Sequence, residues 1–311
     1  MVNVTLIGCG RIGERHLESL STLDNKFNIQ VYDKFIKKES KMFVNKIEDL
    51  NDNIDICLIA TKADVRKSLV EDILEKKNVK YLILEKVAFQ SIKDFEDVIN
   101  LVNEKNVTCY VNCPLRLQPL YKKVNEFLNL ETPTKFTYEY SEDFKISSSF
   151  IHILDLFYWF CKDSDIYICS NLKEVMESIK HKGFVDFKGE ILVTNSNGHT
   201  LHLTQGKNKF TEILKVKNND IEIYSSEGGI ENGINDNRVG EIIINNQDRY
   251  EIPFLWQSYL TAEYVKQIVN DGKCELPTLE ESFKSHKPMI ESFNEFLSNE
   301  KGRVITTCPI T

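Results

Sequence analysis

An apolar run followed by three spaced glycines opens the chain and restricts its fold more than any other feature. Residues 3–13 read Asn-Val-Thr-Leu-Ile-Gly-Cys-Gly-Arg-Ile-Gly. Gly8 allows a tight turn, Gly10 lets the backbone approach a pyrophosphate, and Gly13 lets a helix lie close to the strand before it. A purely structural turn is the alternative explanation. The pattern predicts a dinucleotide-binding strand–turn–helix unit, and its predicted cofactor contacts are Gly8, Gly10, Arg11, Ile12 and Gly13.

An acidic residue after the second predicted strand bears on the choice of dinucleotide. That strand runs from Phe27 to Tyr32, and Asp33 follows it, twenty residues after Gly13. A carboxylate at this position accepts hydrogen bonds from a ribose diol and repels a 2′-phosphate. We therefore expect Asp33 to bind the cofactor and NAD to be preferred. Lys34, next to Asp33, leaves NADP open.

Composition excludes several classes of protein. The net charge of the 311 residues is −8, and the basic residues are dispersed, which argues against a nucleic-acid partner. No apolar run approaches the roughly 20 residues of a membrane span, and no basic leader precedes the first strand, so a cytoplasmic protein without a membrane partner is expected. The eight cysteines form no Cys-x-x-Cys pair and no zinc-site spacing, so they are expected to be reduced thiols and no metal is assigned.

Two fold classes follow each other along the chain. Residues 1–118 alternate short apolar runs with amphipathic stretches, which predicts an α/β domain of Rossmann type with a doubly wound parallel sheet. Residues 119–311 predict an α+β domain for substrate binding and oligomerisation, built on an open, mostly antiparallel sheet, with the last helix a candidate for packing back on the first domain. The strands predicted in the first domain are 3–7, 28–32, 54–59, 81–84 and 108–112, and its helices are 12–23, 65–76 and 92–104. The second domain is predicted to contain helices at 120–128, 150–160, 255–271 and 279–298 and strands at 135–140, 185–194, 199–206, 210–217, 220–224, 241–244 and 249–252.

Polar residues follow three of the strands predicted in the first domain. Thr61, the pair Glu85–Lys86, and Arg116 each come after such a strand. Ligands of open α/β sheets bind beyond the carboxyl ends of the strands, where a lysine reaches both a ribose and a substrate oxygen. Plain surface charge is the alternative for the Glu–Lys pair. Arg116 is equally compatible with binding a carboxylate or phosphate and with pairing to an acid in the core.

Together these motifs resemble a known family, the glucose–fructose oxidoreductase and inositol dehydrogenase group (Gfo/Idh/MocA) of two-domain NAD(P)-dependent oxidoreductases. The resemblance covers nearly the whole chain in order and spacing. It implies a nicotinamide cofactor in the first domain and a sugar-like or cyclic polyol substrate against the sheet of the second. The matching segments are Leu6-Ile-Gly-Cys-Gly-Arg-Ile-Gly-Glu-Arg-His16, Leu58-Ile-Ala-Thr61, Leu84-Glu85-Lys86, Arg116-x-x-Pro119-x-Tyr121 and His152-x-x-Asp155-x-x-x-Trp159.

The resemblance also implies two catalytic residues. Lys86 matches the lysine that orients the substrate hydroxyl and the nicotinamide ribose, and Val87 stands where the family has proline. His152 matches the histidine that exchanges a proton with the substrate oxygen, a role suited to a group that titrates near neutrality. Thr61, Glu85 and Lys86 are counted among the cofactor contacts.

The chain departs from the family at one position of the substrate site. Ser148 stands four residues before His152, where the family usually has an acid, so one charged substrate ligand is missing. Asp155, three residues after His152, lies on the same helix face and is a candidate for binding a substrate hydroxyl or steadying the imidazole. The predicted substrate contacts are Arg116, Ser148 and Asp155.

Three functions stay open at this stage. The first is an NAD(P)-dependent oxidoreductase that acts on the CH–OH or C=O group of a sugar, nucleotide sugar or polyol. The second is a non-catalytic dinucleotide sensor, because fold does not fix function. The third is a reductase of an imine or a linear tetrapyrrole in an apolar cleft lined by Phe144, Phe150 and Trp256. An exposed sheet face in the second domain predicts a homodimer or homotetramer.

Overall fold

Two sheets organise the computed structural model of this chain, which describes residues 1–162, 165–177, 182–207, 211–227, 238–255 and 257–311. One sheet has six parallel strands and the other has eight strands that are mostly antiparallel. The predicted fold class is therefore confirmed. The predicted contact Trp256 and the glycine-rich loop at 228–233 lie outside the described residues.

The first sheet has the strand order β3-β2-β1-β4-β5-β6, with every neighbouring pair parallel. The order reverses between β1 and β4, and a ligand crevice forms at such a reversal in open α/β sheets. The strands are β1 Val2–Ile7, β2 Phe27–Tyr32, β3 Phe43–Val44, β4 Asn53–Ile59, β5 Asn78–Glu85 and β6 Thr108–Asn112. The helices that connect them are α1 Arg11–Leu20, α2 Ala63–Lys76 and α3 Ile92–Glu104.

The central strands of this sheet are covered on both faces. Leu6, Leu58 and Ile83 are at most 1% exposed, as continuous apolar strands of a parallel sheet require. The five predicted strands are present. The sequence analysis missed β3, because a two-residue strand with half-buried side chains carries no periodicity.

The second sheet has the order β14-β13-β12-β11-β7-β10-β9-β8, and only the β7–β10 pair is parallel among its described strand pairs. Its strands are β7 Lys135–Tyr140, β8 Ile166–Glu177, β9 Val185–Asn195, β10 Thr200–Gln205, β11 Ile213–Lys217, β12 Glu222–Ser226, β13 Arg238–Ile244 and β14 Asp248–Phe254. The sequence analysis missed β8, a strand at the edge of the sheet whose pairing register shifts between Leu172 and Glu174. That irregularity interrupts the alternation by which a strand is recognised.

Four further α-helices lie within the described residues: α4 Pro119–Phe127, α5 Ile146–Phe160, α6 Gln257–Asp271 and α7 Leu279–Lys301. Phe136 of β7 stacks on Phe160 and meets Phe157 edge-on, with ring centroids 5.9 and 5.3 Å apart, so α5 packs on the second sheet. The predicted start of α5 at residue 150 is wrong by one turn. Asp186 of β9 accepts a hydrogen bond from the amide of Ser147 at 2.9 Å, and this capping contact from a distant strand has no local signal.

The chain forms two compact units. The first contains Met1–Cys113, Trp256–Phe283 and Thr311, and the second contains Pro114–Leu255 and Lys284–Ile310. α6 groups with the first sheet because it packs against α1, where the amide of Ala262 donates to the Ser19 hydroxyl at 2.9 Å. The division into domains at 1–118 and 119–311 stays a prediction. No helix within the described residues has the length and apolar character that crossing a membrane requires.

The contact between α1 and the glycine turn predicts that Gly13→Ala destabilises the first unit. A Cβ at Gly13 would lie 2.0 Å from the carbonyl oxygen of Gly8, so backbone must move. We expect the free energy of unfolding to fall by about 1–3 kcal/mol, the usual cost of overpacking. Chemical denaturation measures this change. Gly10→Ala is the matched control, because a Cβ there has no atom within 4 Å. Equal stability of both variants would contradict the prediction.

Candidate functional site

The glycine turn forms an open cradle at the amino terminus of α1. Gly8 adopts a positive φ of 89°, and a Cβ there would lie 2.9 Å from Thr61. Gly10 immediately precedes α1, and a Cβ atom at Gly10 would have no other atom within 4 Å. Unpaired amides of a helix amino terminus attract phosphate. The cradle fits the pyrophosphate of a dinucleotide, with Arg11 and Ile12 as the first residues of the helix.

Asp33 is held beside this cradle in its ionised form. One carboxylate oxygen accepts a hydrogen bond from the amide of Cys9 at 2.7 Å, and the other accepts from Phe35 and Ile36 at 2.8 Å. Burial opposes ionisation of Asp33, but these amide donors outweigh it and hold its pKa below the usual value. A fixed negative charge at the end of β2 fits a ribose diol better than a 2′-phosphate.

Two of the three lysines that follow Asp33 have acceptors inside the first unit. The ammonium group of Lys37 donates to the carbonyls of Asp33 and Asn45, at 2.8 and 3.1 Å. The ammonium group of Lys38 lies 2.8 Å from the carboxylate of Glu14. Lys34 lies 5.6 Å from the ring centroid of its neighbour Phe35. Basic residues are therefore present near Asp33, although the charge of Lys38 is balanced by Glu14.

Thr61, at the end of β4, has a buried hydroxyl with no hydrogen-bond partner among the described residues. Such a group is usually satisfied in folded proteins, and a bound ligand is one way to satisfy it. Its carbonyl accepts a hydrogen bond from the guanidinium group of Arg66. Thr61 thus remains a candidate cofactor contact next to Gly8.

Glu85 is the centre of a buried polar network in the first unit. Its Oε1 accepts a hydrogen bond from the amide of Asn112 and lies 2.9 Å from Nε2 of His16, whose Nδ1 lies 2.8 Å from the hydroxyl of Thr261. Burial opposes ionisation of Glu85, but His16, Lys86 and Asn112 lower its pKa to about 2. The sequence analysis predicted Glu85 as a cofactor contact and missed this network, because His16 is 69 residues away.

Lys86 follows Glu85 directly, and the peptide bond between Lys86 and Val87 is cis. Burial lowers the pKa of Lys86, the adjacent Glu85 opposes this, and Arg66 adds to the decrease. A lysine of lowered pKa gives up a proton more readily than an exposed one. Lys86 is therefore suited to hold and exchange protons at the carboxyl end of β5.

Arg66 of α2 positions the segment that follows Lys86. Its guanidinium group donates to the carbonyls of Val87 and Ala88, the latter at 2.8 Å, as well as to the carbonyl of Thr61. It is 1% exposed, which is rare for arginine unless it is bound. It links the segments that follow β4 and β5. The sequence analysis missed Arg66, because a charged residue in an amphipathic helix usually faces solvent.

The second unit contains a buried ion pair between Arg116 and Asp155. Nε of Arg116 donates to Oδ2 of Asp155 at 3.0 Å, and Nη2 donates to Oδ1 at 2.6 Å, with both side chains at most 3% exposed. This two-point contact fixes the residue that lies one turn after His152 on α5. The pairing of Arg116 with an acid, one of the two expected possibilities, is present, and the substrate contacts of both residues stay predictions.

His152 lines a cavity of about 130 Å³ in the second unit. The hydroxyl of Tyr138 contacts the carboxylates of both Glu212 and Glu227 there, and the hydroxyl of Tyr121 donates to Glu227 at 2.5 Å. The sequence analysis did not single out either glutamate, since no local motif contains them. The residues that line the cavity are Leu115, Tyr138, Phe144, Ser149, His152, Ile153, Glu212 and Glu227.

Ser149, rather than the predicted Ser148, is the α5 serine among the described lining residues. Ser148 is half-buried in the first turn of α5, where its amide donates to the carbonyl of Lys145 at 3.2 Å. Within the described part of the chain, no cluster of three or more His, Cys, Asp or Glu side chains is arranged to hold a metal ion.

The open space above Gly10 predicts that Gly10→Ala weakens cofactor binding without unfolding the protein. A methyl group would fit the empty cradle but would keep a pyrophosphate away from the backbone. We expect NADH affinity to fall about tenfold or more, equivalent to at least about 1.4 kcal/mol. Titration of NADH fluorescence measures it, with circular dichroism as the check on folding. Unchanged affinity would show that the pyrophosphate does not approach Gly10.

The network of Glu85 predicts an acid-dependent loss of stability. Because the folded-state pKa of Glu85 is lowered to about 2, its carboxylate stabilises the fold fully above its unfolded pKa of about 4.3. This contribution, about 3 kcal/mol, is lost as pH falls from there toward 2. Urea denaturation across this pH range should show that the free energy of unfolding of Glu85→Gln falls less steeply with decreasing pH than that of wild type. Glu75→Gln is the control, because Glu75 is exposed. Equal pH dependence of the free energy of unfolding in Glu85→Gln and wild type would refute the prediction.

Comparison with known proteins adds to this geometry. Residues 2–113 match the sequence model of the Gfo/Idh/MocA family, described as an oxidoreductase family with an NAD-binding Rossmann fold. No curated protein matches the chain in sequence. Solved structures match nearly its whole length at low sequence identity, and this likeness shows the fold.

Three of these solved structures illustrate the range of proteins with this fold. An oxidoreductase from Agrobacterium radiobacter, in complex with NAD+, L-tartaric acid and magnesium, is 16% identical with a TM-score of 0.72, covering 98% of each chain. UDP-N-acetylglucosamine 3-dehydrogenase from Acidithiobacillus ferrooxidans is 13% identical with a TM-score of 0.67, over 94% of this chain and 96% of its own. Biliverdin reductase from Synechocystis, in complex with biliverdin and NADP+, is 13% identical with a TM-score of 0.65, over 94% of this chain and 98% of its own.

The family match, the strand order and the glycine cradle agree with one another. The cradle and the ionised Asp33 fit the dinucleotide that the matched family binds. The resemblance and the nicotinamide dinucleotide cofactor predicted from the sequence are both confirmed. Over residues 2–113 this chain is similar to the Gfo/Idh/MocA oxidoreductase family, whose sequence model describes an NAD-binding Rossmann fold.

Proposed function

We propose that this chain is an NAD(P)-dependent oxidoreductase that interconverts the CH–OH and C=O groups of a sugar, nucleotide sugar or polyol. The observation that carries the proposal is the position of Lys86. It follows β5 at the edge of the parallel sheet where β1 ends in the glycine turn, and burial lowers its pKa. A proton-exchanging lysine at the cofactor edge of a Rossmann sheet is suited to hydride chemistry.

In the oxidation direction, the substrate carbon loses a hydride and its hydroxyl loses a proton. A nicotinamide dinucleotide, when bound, would supply the hydride acceptor for oxidation and the hydride donor for reduction. His152 takes the hydroxyl proton in oxidation and gives it back in reduction, as an imidazole does near neutral pH. Lys86 donates a hydrogen bond to the substrate oxygen and stabilises the negative charge that develops on it.

A carbohydrate-like substrate is supported by the cavity around His152. Hydroxyl and carboxylate groups line it, including those of Ser149 and Tyr138, and such groups pair with sugar hydroxyls. The UDP-N-acetylglucosamine 3-dehydrogenase of the same fold acts on a nucleotide sugar. Substrate contacts by Arg116, Ser148 and Asp155 remain part of the proposal.

Tetrapyrrole reduction is the second candidate, since a biliverdin reductase shares the fold. Phe144 lines the cavity, whereas Phe150 is 0% exposed within the core of the second unit. A cavity of about 130 Å³ is smaller than the roughly 300–1,000 Å³ of sites that enclose a whole drug-sized ligand. A cavity of this size would enclose one end of a substrate, and the carboxylates of Glu212 and Glu227 in its wall favour the hydroxyl groups of a sugar over a tetrapyrrole.

NAD is proposed as the preferred dinucleotide because Asp33 is ionised and fixed by three amides. The homodimer or homotetramer, the absence of nucleic-acid and membrane partners, and the cytoplasmic location stay predictions from the sequence.

Replacement of Lys86 tests the proposed activity. Lys86→Met is expected to reduce turnover about 10²- to 10³-fold, the usual cost of removing a donor that stabilises developing negative charge, while NADH still binds. Assays of NAD+ reduction with a panel of sugars, nucleotide sugars and polyols measure turnover. Lys80→Met is the matched control, because Lys80 is an exposed lysine of the same strand.

Three outcomes would contradict parts of the proposal. Full activity in Lys86→Met would exclude Lys86 from catalysis. Tight NADH binding by the wild-type protein with no turnover of any substrate in the panel would favour the non-catalytic dinucleotide sensor. Oxidation of NADH or NADPH by biliverdin, without turnover of any sugar, would favour the tetrapyrrole reductase.

A further inference from the structure

Two glutamates meet at one end of the β11–β12 hairpin in the second unit. Glu212 immediately precedes β11 and Glu227 immediately follows β12, and the amide of Glu227 donates to the carbonyl of Glu212 at 3.2 Å. The antiparallel pairing of the two strands therefore places both residues at the same edge. Both side chains line the cavity that contains His152.

A single tyrosine hydroxyl links the two carboxylates. Tyr138 of the neighbouring strand β7 contacts Glu212 and also lies 3.2 Å from Oε1 of Glu227. Tyr121 donates to the same oxygen of Glu227 at 2.5 Å. Burial, together with the two glutamates, raises the pKa values of both tyrosines well above their usual range, so both hydroxyls stay protonated and act as donors. The tyrosine hydroxyls thus hold both glutamate side chains in place.

The cavity wall formed in this way is acidic. Among the described residues that line the cavity, the acidic side chains are Glu212 and Glu227, and the imidazole of His152 and the phenol of Tyr138 line the same cavity. Glu227 is only 6% exposed, so solvent screens its charge less than that of a surface residue. A carboxylate acceptor binds an O–H or N–H donor about twice as strongly as a neutral acceptor does, and repels another anion.

We propose that Glu212 and Glu227 determine substrate specificity, by selecting a group that donates hydrogen bonds and carries no negative charge beside His152. Hydroxyl and amino groups of a sugar share this chemistry, whereas a carboxylate or phosphate at the same position is rejected. The inference rests on the proposed function, because it takes the cavity of His152 to be the substrate site. It adds two residues and a charge preference that the sequence motifs do not contain.

Three sugars that differ at one carbon test the proposal. D-Glucose, 6-amino-6-deoxy-D-glucose and D-glucuronate carry a hydroxyl, an amine and a carboxylate at C6. Their binding to the NADH-loaded protein is measured by isothermal titration calorimetry. We expect wild type to bind the hydroxyl and amino sugars at least about tenfold more tightly than glucuronate, as expected for a charge-assisted hydrogen bond. Comparison of the first two sugars separates a hydroxyl from an ammonium partner.

The doubly substituted variant Glu212→Gln/Glu227→Gln removes both charges and keeps similar side-chain size and hydrogen-bonding capacity. Its preference for the hydroxyl and amino sugars over glucuronate is expected to shrink about tenfold. Glu222→Gln is the matched control, because Glu222 is an exposed glutamate at the other end of the same hairpin, 3.1 Å from Lys217. The control is expected to keep the wild-type preference. Thermal unfolding monitors the folding of each variant. Tyr138→Phe is a second test, because it removes the hydroxyl that contacts both glutamates. It should also alter the preference for the hydroxyl and amino sugars over glucuronate.

The possible outcomes separate this inference from the proposed function. Equal binding of all three sugars by wild type, or an unchanged preference in both the double variant and Tyr138→Phe, overturns the specificity role of the glutamates. Binding of NADH without binding of any of the three sugars also overturns it, while the oxidoreductase proposal stands. Failure to bind NADH at all would instead refute the proposed function.

Discussion

The close approach of α1 to the turn after β1 is the contact on which the cofactor half of this protein depends. Gly13 lies so near the carbonyl of Gly8 that no side chain fits between them. This approach places the amino terminus of α1 at the end of β1, where the strand order of the sheet reverses. The open cradle at Gly10 follows from that placement, and with it the capacity to receive a pyrophosphate.

Two buried charged side chains then hold the neighbouring strand ends. Arg66 binds the carbonyls that follow β4 and β5, and Glu85 binds His16 of α1 and Asn112 of β6. Unpaired, each of these charges would be costly to bury, so the contacts are needed for the fold as well as for the site. They fix the backbone on both sides of Lys86. Burial lowers the pKa of this lysine, Glu85 opposes the decrease, and Arg66 adds to it. Stability and candidate chemistry in the first unit therefore depend on the same groups.

In the second unit, the sheet and α5 together build the surroundings of His152. Arg116 anchors Asp155 one turn after His152, while Asp186 caps the start of the same helix. The cavity wall opposite comes from the sheet, through the pair of glutamates that Tyr138 links. The two walls have different origins, a helix carrying a family motif and a hairpin end carrying no motif. Under the proposed function, the helix would supply the histidine that exchanges the proton, and the hairpin end would supply the groups that select the substrate.

The sequence by itself determined the five longer strands and the three helices of the first domain, the glycine turn, and the place of Asp33, Thr61 and Lys86 at strand ends. These features depend on local periodicity and on the rule that parallel strands end at one edge, so neighbouring residues carry the signal. Only the tertiary structure decided which side chains pair: His16 with Glu85 across 69 residues, Arg66 with the carbonyls after Lys86, and Glu212 with Glu227 through Tyr138. Such pairings arise from the packing of distant segments, and no local pattern encodes them.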